Sequence, residues 1–90
     1  MKINKRIKVS GKVQGVFFRN SAQQKALEFG IKGWVRNESD GTVLMEIEGG
    51  PDAILKMENW LRQGPPLAKI QSIEIFEGDP LGHTGFIILK

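Results

Sequence analysis

The chain has 90 residues, 40% hydrophobic and 26% charged, a globular composition at the size of a single domain, 1–90. It has no cysteine and one histidine, His83, which excludes disulfides, thiolate nucleophiles, cysteine-based zinc sites and multi-histidine metal cages. Its net charge of +3 is a mild excess spread over a mixed-charge surface, and no apolar run approaches the roughly 20 residues of a membrane helix.

The start, MKINKR, is basic but not followed by the apolar stretch of a secretory signal, so a cytoplasmic setting is expected. From Arg6 to Val13 the residues alternate. Ile7, Val9 and Val13 share one face, and Arg6, Lys8 and Lys12 the other, which predicts a half-buried strand. At Phe18 the period changes. Phe18, Ala22, Ala26 and Phe29, with Leu27 beside them, mark the apolar stripe of a helix that Gly30 caps. Ile31 to Arg36 predicts a second strand. The turn Asn37-Glu38-Ser39-Asp40-Gly41 joins it to a third, Val43 to Glu48, as a hairpin. Here Asp40 is expected to serve the turn, and Glu46 and Glu48, alternating on one strand face, are expected to be solvated. Pro51 opens a second helix whose stripe is Ile54, Met57, Trp60 and Leu61, and Gly64-Pro65-Pro66 ends it. A fourth strand, Ala68 to Glu77, centres on Ile70, Ile73 and Ile75. The loop from Gly78 to Thr84, in which His83 is expected to be exposed, leads to a short last strand, Gly85 to Leu89. Trp34 and Trp60 are read as packing residues.

The order is strand, helix, strand, strand, helix, strand, plus a terminal strand. It predicts an α+β, ferredoxin-like split βαβ sandwich with both helices on one face of a largely antiparallel sheet. The first crossover makes strands one and two run the same way, so their C-terminal ends reach one edge. Two loops distant in sequence, Gln14 to Phe18 and the turn at Asn37, meet there.

The first of these carries the segment GKVQGVFFR, Gly11 to Arg19. The first N–H groups of a helix have no internal partner, and the helix dipole adds partial positive charge. A loop with Gly15 lets successive amides converge on an anion, and Arg19 adds a planar fork matched to phosphate oxygens. From the residues alone this is either a phosphate cradle or a glycine-containing loop with a surface arginine. Arg19 stands against its own helix dipole, which favours a bound anion. Asn37 is either a turn cap or, opposite the cradle, an amide able to hold a water. A sheet that binds RNA through aromatics on its central strands is disfavoured, because Arg6 to Val13 and Val43 to Glu48 contain none. An anion sensor that uses the cradle without turnover is the other alternative.

Together the two segments resemble the acylphosphatase family. Its first signature is matched at Gly11, Val13, Gln14, Gly15, Val16, Phe18 and Arg19. Its second is matched at Gly33, Trp34, Val35, Asn37, Gly41, Val43 and Gly49. The resemblance covers nearly the whole chain, with departures at Leu44 and at His83-Thr84. It implies a small hydrolase of acyl phosphates with a small-molecule substrate and no metal or cofactor; the residues themselves suggest nothing beyond a monomer and point to no nucleic-acid or membrane partner. It further implies that Arg19 and the loop residues Gly15, Val16, Phe17 and Phe18 bind phosphate, while Asn37 orients the attacking water.

Overall fold

A computed structural model describes Met1–Lys90. In chain order the elements are β1 (Ile3–Lys12), α1 (Phe18–Phe29), β2 (Lys32–Asn37), β3 (Val43–Gly49), α2 (Pro51–Gln63), β4 (Lys69–Gly78) and β5 (Phe86–Ile88). The strands form one sheet in the order β4-β1-β3-β2-β5. Every neighbouring pair is antiparallel except β2–β5, which is parallel. Since β1 and β2 both oppose β3, they run the same way and end at the same edge, as the sequence predicts. The fold is the expected ferredoxin-like α+β sandwich, with two interleaved βαβ crossovers.

Alternation along the strands builds the core. One row across the sheet reads Ile75, Ile7, Met45, Val35, Ile88, each facing the next in register. Both helices cover this face with Phe18, Ala22 and Ala26 from α1 and Ile54, Met57 and Leu61 from α2. The next row reads Ile73, Val9, Val43 and Asn37. A carboxamide therefore takes the last position of an otherwise apolar row, on the helix side and beside the start of α1.

The three-residue spacing of Ile70 and Ile73 would put them on opposite faces of a regular strand. Between Ser10 and Gly11 the register shifts, so that Ser10 faces Ser72 while Gly11 faces Ile70. This bulge returns both isoleucines to the core side. Gly11 has φ 127°, and a Cβ there would collide with the Lys69 carbonyl oxygen, so the bulge requires glycine.

Three expectations are corrected. Leu27 is 64% exposed, because α1 turns it away from the stripe formed by Phe18, Ala22 and Ala26. Glu46 and Glu48 are not solvated but buried, at 3% and 1% exposure. His83 is only partly exposed and its Nε2 lies 2.5 Å from Glu46 Oε2. The cause is topological. β4 and β5 occupy opposite edges, so the segment between them must cross the sheet, and the helices already fill one face. It crosses the other, over β3. There the Glu48 carboxylate accepts three successive N–H groups, from Leu81, Gly82 and His83, at 2.6–3.0 Å, and Nδ2 of Asn4 at 3.0 Å. Glu46 accepts Arg6 Nη2 at 2.9 Å. Alternation gives the face of a side chain but not what lies over it.

The tryptophans divide. Trp60 packs on Phe18, ring centroids 5.8 Å apart. Trp34 lies on the outer face between the Arg6 and Arg36 guanidiniums, 5.5 and 5.0 Å from its ring, a cation–π stack outside the core.

Candidate functional site

At the edge where β1 and β2 end, a hollow of about 210 Å³ is lined by Val13, Gly15, Phe17, Phe18, Arg19, Asn20 and Asn37. It lies below the roughly 300–1,000 Å³ of drug-sized sites, which suits a compact ligand. None of its lining residues is acidic, so an anion entering it meets no carboxylate.

The first wall is the β1–α1 loop. Gly15 has φ 74° with open space around it, and Phe17, a non-glycine residue, is held in the left-handed region at φ 61°, ψ 25°. Two such residues curve the short loop sharply, as in the backbone concavities that bind anions. The α1 start has no side-chain cap and no acidic residue in its first turn. No loop or cap hydrogen bond within the chain is donated by the N–H groups of Gly15 to Asn20. These unpaired donors leave the positive end of the helix dipole uncompensated.

Arg19 stands on that first turn. It forms no ion pair with a carboxylate, and its one hydrogen bond within the chain is a long one, 3.4 Å from Nη1 to the Leu89 carbonyl oxygen. Most of the guanidinium fork is therefore free for a ligand. Leu89 is itself held by its N–H to the Val35 carbonyl oxygen at 2.8 Å.

Asn37 closes the hollow from β2. Its Oδ1 is buried and has no hydrogen-bond partner in the chain. An unsatisfied buried acceptor costs roughly 1–3 kcal/mol, so it is the exception in a folded protein and points to a use. Asp40 organises the turn beyond, as expected. Its Oδ1 accepts the Thr42 amide at 3.0 Å and the Thr42 hydroxyl at 2.6 Å. These bonds from Thr42 foremost, and the Lys8 ammonium, hold the Asp40 carboxyl down to about 2.

The hollow thus brings together Gly15, Phe17, Phe18, Arg19 and Asn37. Val16 does not line it; its side chain is buried in the core, at 4% exposure, and only its main chain belongs to the loop. The sequence reading gave no role to three further features. Asn20 lines the hollow. The Leu89 carbonyl steadies Arg19 from across the fold. Gln14 Nε2 donates to the Glu38 and Thr42 carbonyl oxygens at 2.8 and 2.9 Å, joining the cradle loop to the turn that follows Asn37. Gln14 sits in the first motif, but only the sheet topology shows what faces it.

Comparison with known proteins identifies the family. A family model described as Acylphosphatase matches residues 5–88. The chain is 44% identical over 84 residues to an acylphosphatase of Anaeromyxobacter dehalogenans, covering 93% of this chain and 90% of that one. Over 88 residues it is 40% identical to an acylphosphatase of Thermococcus kodakarensis, covering 98% of this chain and 97% of that one. The crystal structure of acylphosphatase from Bacillus subtilis superposes with a TM-score of 0.95 at 35% identity, covering 98% and 99% of the two chains. The chain belongs to the acylphosphatase family, a family of hydrolases.

Proposed function

We propose that the chain hydrolyses the carboxyl–phosphate bond of small acyl phosphates, with the loop amides and Arg19 binding the phosphoryl group and Asn37 positioning the water. The observation that carries this reading is the meeting of unpaired amides, a free guanidinium fork and the Asn37 carboxamide, whose oxygen has no partner in the chain, around one hollow.

Phosphoryl transfer asks the protein mainly for position and charge stabilisation. The amides from Gly15 to Arg19 and the Arg19 fork hold the equatorial oxygens, fixed in place before the reaction begins. The Asn37 carboxamide, on the wall of the hollow, holds the water and aims it at phosphorus. As the new O–P bond forms, the bond to the acyl oxygen breaks and its electron pair leaves with the carboxylate. The proton of the water passes to a phosphoryl oxygen, so a separate general base is not required.

The test is hydrolysis of benzoyl phosphate in the presence of EDTA. The expected result is steady turnover with competitive inhibition by inorganic phosphate. Saturable phosphate binding without turnover would make the hollow an anion-binding module and overturn the catalytic reading.

A further inference from the structure

We propose that the Phe17 ring contacts the acyl half of the substrate and biases the enzyme toward flat, apolar acyl groups, an inference that rests on the acyl phosphate reading above. An acyl phosphate makes opposite demands at its two ends. The phosphoryl end needs donors and positive charge, which the loop amides and Arg19 supply. The acyl end extends from the cradle toward the mouth of the hollow and needs an apolar surface.

Three hydrophobic residues line the hollow, Val13, Phe17 and Phe18. Two of them serve the core. Val13 is 1% exposed and Phe18 2%, with the Phe18 ring against Trp60. Phe17 is 71% exposed, so its ring contributes little to folding. Its backbone is also strained. At φ 61° it occupies a conformation that glycine or asparagine adopts more readily, and it provides no side-chain cap for α1. Neither packing, capping nor backbone preference explains a phenyl ring there. A strained residue bordering a ligand hollow is where a functional constraint is expected. Single exposed apolar side chains are ordinary on protein surfaces, but this one borders an anion cradle and its position is fixed by the loop conformation that forms the cradle.

The experiment compares kcat/KM for benzoyl phosphate and acetyl phosphate in the wild type, Phe17→Gly, Phe17→Asn and Phe17→Tyr. Glycine and asparagine suit the left-handed conformation, keep the main-chain amide and remove the ring; tyrosine keeps it. The readout is the ratio of the two kcat/KM values. It is expected to fall about five- to tenfold in Phe17→Gly and Phe17→Asn, the scale of one aromatic contact, and to stay near the wild-type value in Phe17→Tyr. A purely structural role, or one in phosphate binding alone, would change both substrates equally. A wild-type ratio in Phe17→Gly therefore overturns the assignment of Phe17 even where both rates drop. Absence of turnover of both substrates by the wild-type chain overturns instead the activity on which the inference stands.

Discussion

Arg19 is a cation on the first turn of its own helix, where the dipole favours anions. Its neighbours offer no carboxylate to offset this. The arrangement suits a phosphate as counter-charge, and it makes the shape of the cation matter. Lysine keeps the charge but loses the planar fork, so Arg19→Lys is expected to lower kcat/KM for benzoyl phosphate by about a hundredfold or more, the scale of losing preorganised donors. Asn37 has a different task. Asn37→Ala is expected to lower kcat about a hundredfold while the inhibition constant for inorganic phosphate stays within about twofold. A weakened phosphate constant with turnover retained would show that Asn37 binds rather than orients. Both candidates were singled out from the sequence by position: Arg19 opposes its own helix dipole, and Asn37 opens the turn at the sheet edge that also carries the cradle loop. The burial of the Asn37 oxygen without a partner was not legible, because that depends on how neighbouring elements pack around the end of β2.

At the scale of elements, the site depends on two loops holding a common position, and Gln14 joins them with two hydrogen bonds. Gln14→Ala removes both and is expected to cost ~1–2 kcal/mol in urea unfolding. It should also lower kcat more than it raises KM, because the water-orienting wall moves relative to the cradle. An unchanged kcat would show that the hairpin holds its place without Gln14. Hydrophobic period and turn chemistry predicted every helix and strand to within a few residues, since each element buries one face and ends at glycine or proline. What they left open belongs to long-range contact. The apolar period of α1 included Leu27, yet the helix turns it to the side away from the sheet. The spacing of Ile70 and Ile73 only makes sense once the bulge at Gly11 is seen in the partner strand. The burial of Glu46 and Glu48 required the path of a segment more than thirty residues away.

For the molecule as a whole, that crossing segment ties stability to acid. Bonding from Asn4 Nδ2, opposed by burial and reinforced by the amides of Leu81, His83 and Gly82, brings the Glu48 carboxyl down to about 2 from 4.5. Burial would push Glu46 up, but the hydrogen bonds from His83 and Arg6 outweigh it and the group is lowered too. Both folded values lie below the unfolded one. The stabilisation from Glu48 is therefore complete above about pH 4.5–5 and is lost as pH falls toward about 2, because the unfolded chain binds the proton first, and Glu46 acts in the same direction. The urea midpoint is expected to drop steeply across that window. Glu48→Gln places an amide NH₂ among N–H donors and is expected to lose ~2 kcal/mol at pH 7, with a shallower decline below pH 5. Parallel acid profiles for the two proteins would assign the acid sensitivity to other carboxylates.

The hydrogen bond from Arg19 to Leu89 joins residues 70 positions apart. The guanidinium is steadied by a carbonyl that emerges from the ribosome long after the cradle itself, and that carbonyl is placed only when the last strand docks beside β2. Contacts of such sequence separation form late and slowly. A peptide spanning the two motifs would thus carry the recognisable residues without the finished hollow, and the rate of catalysis becomes a gauge of the completed tertiary structure.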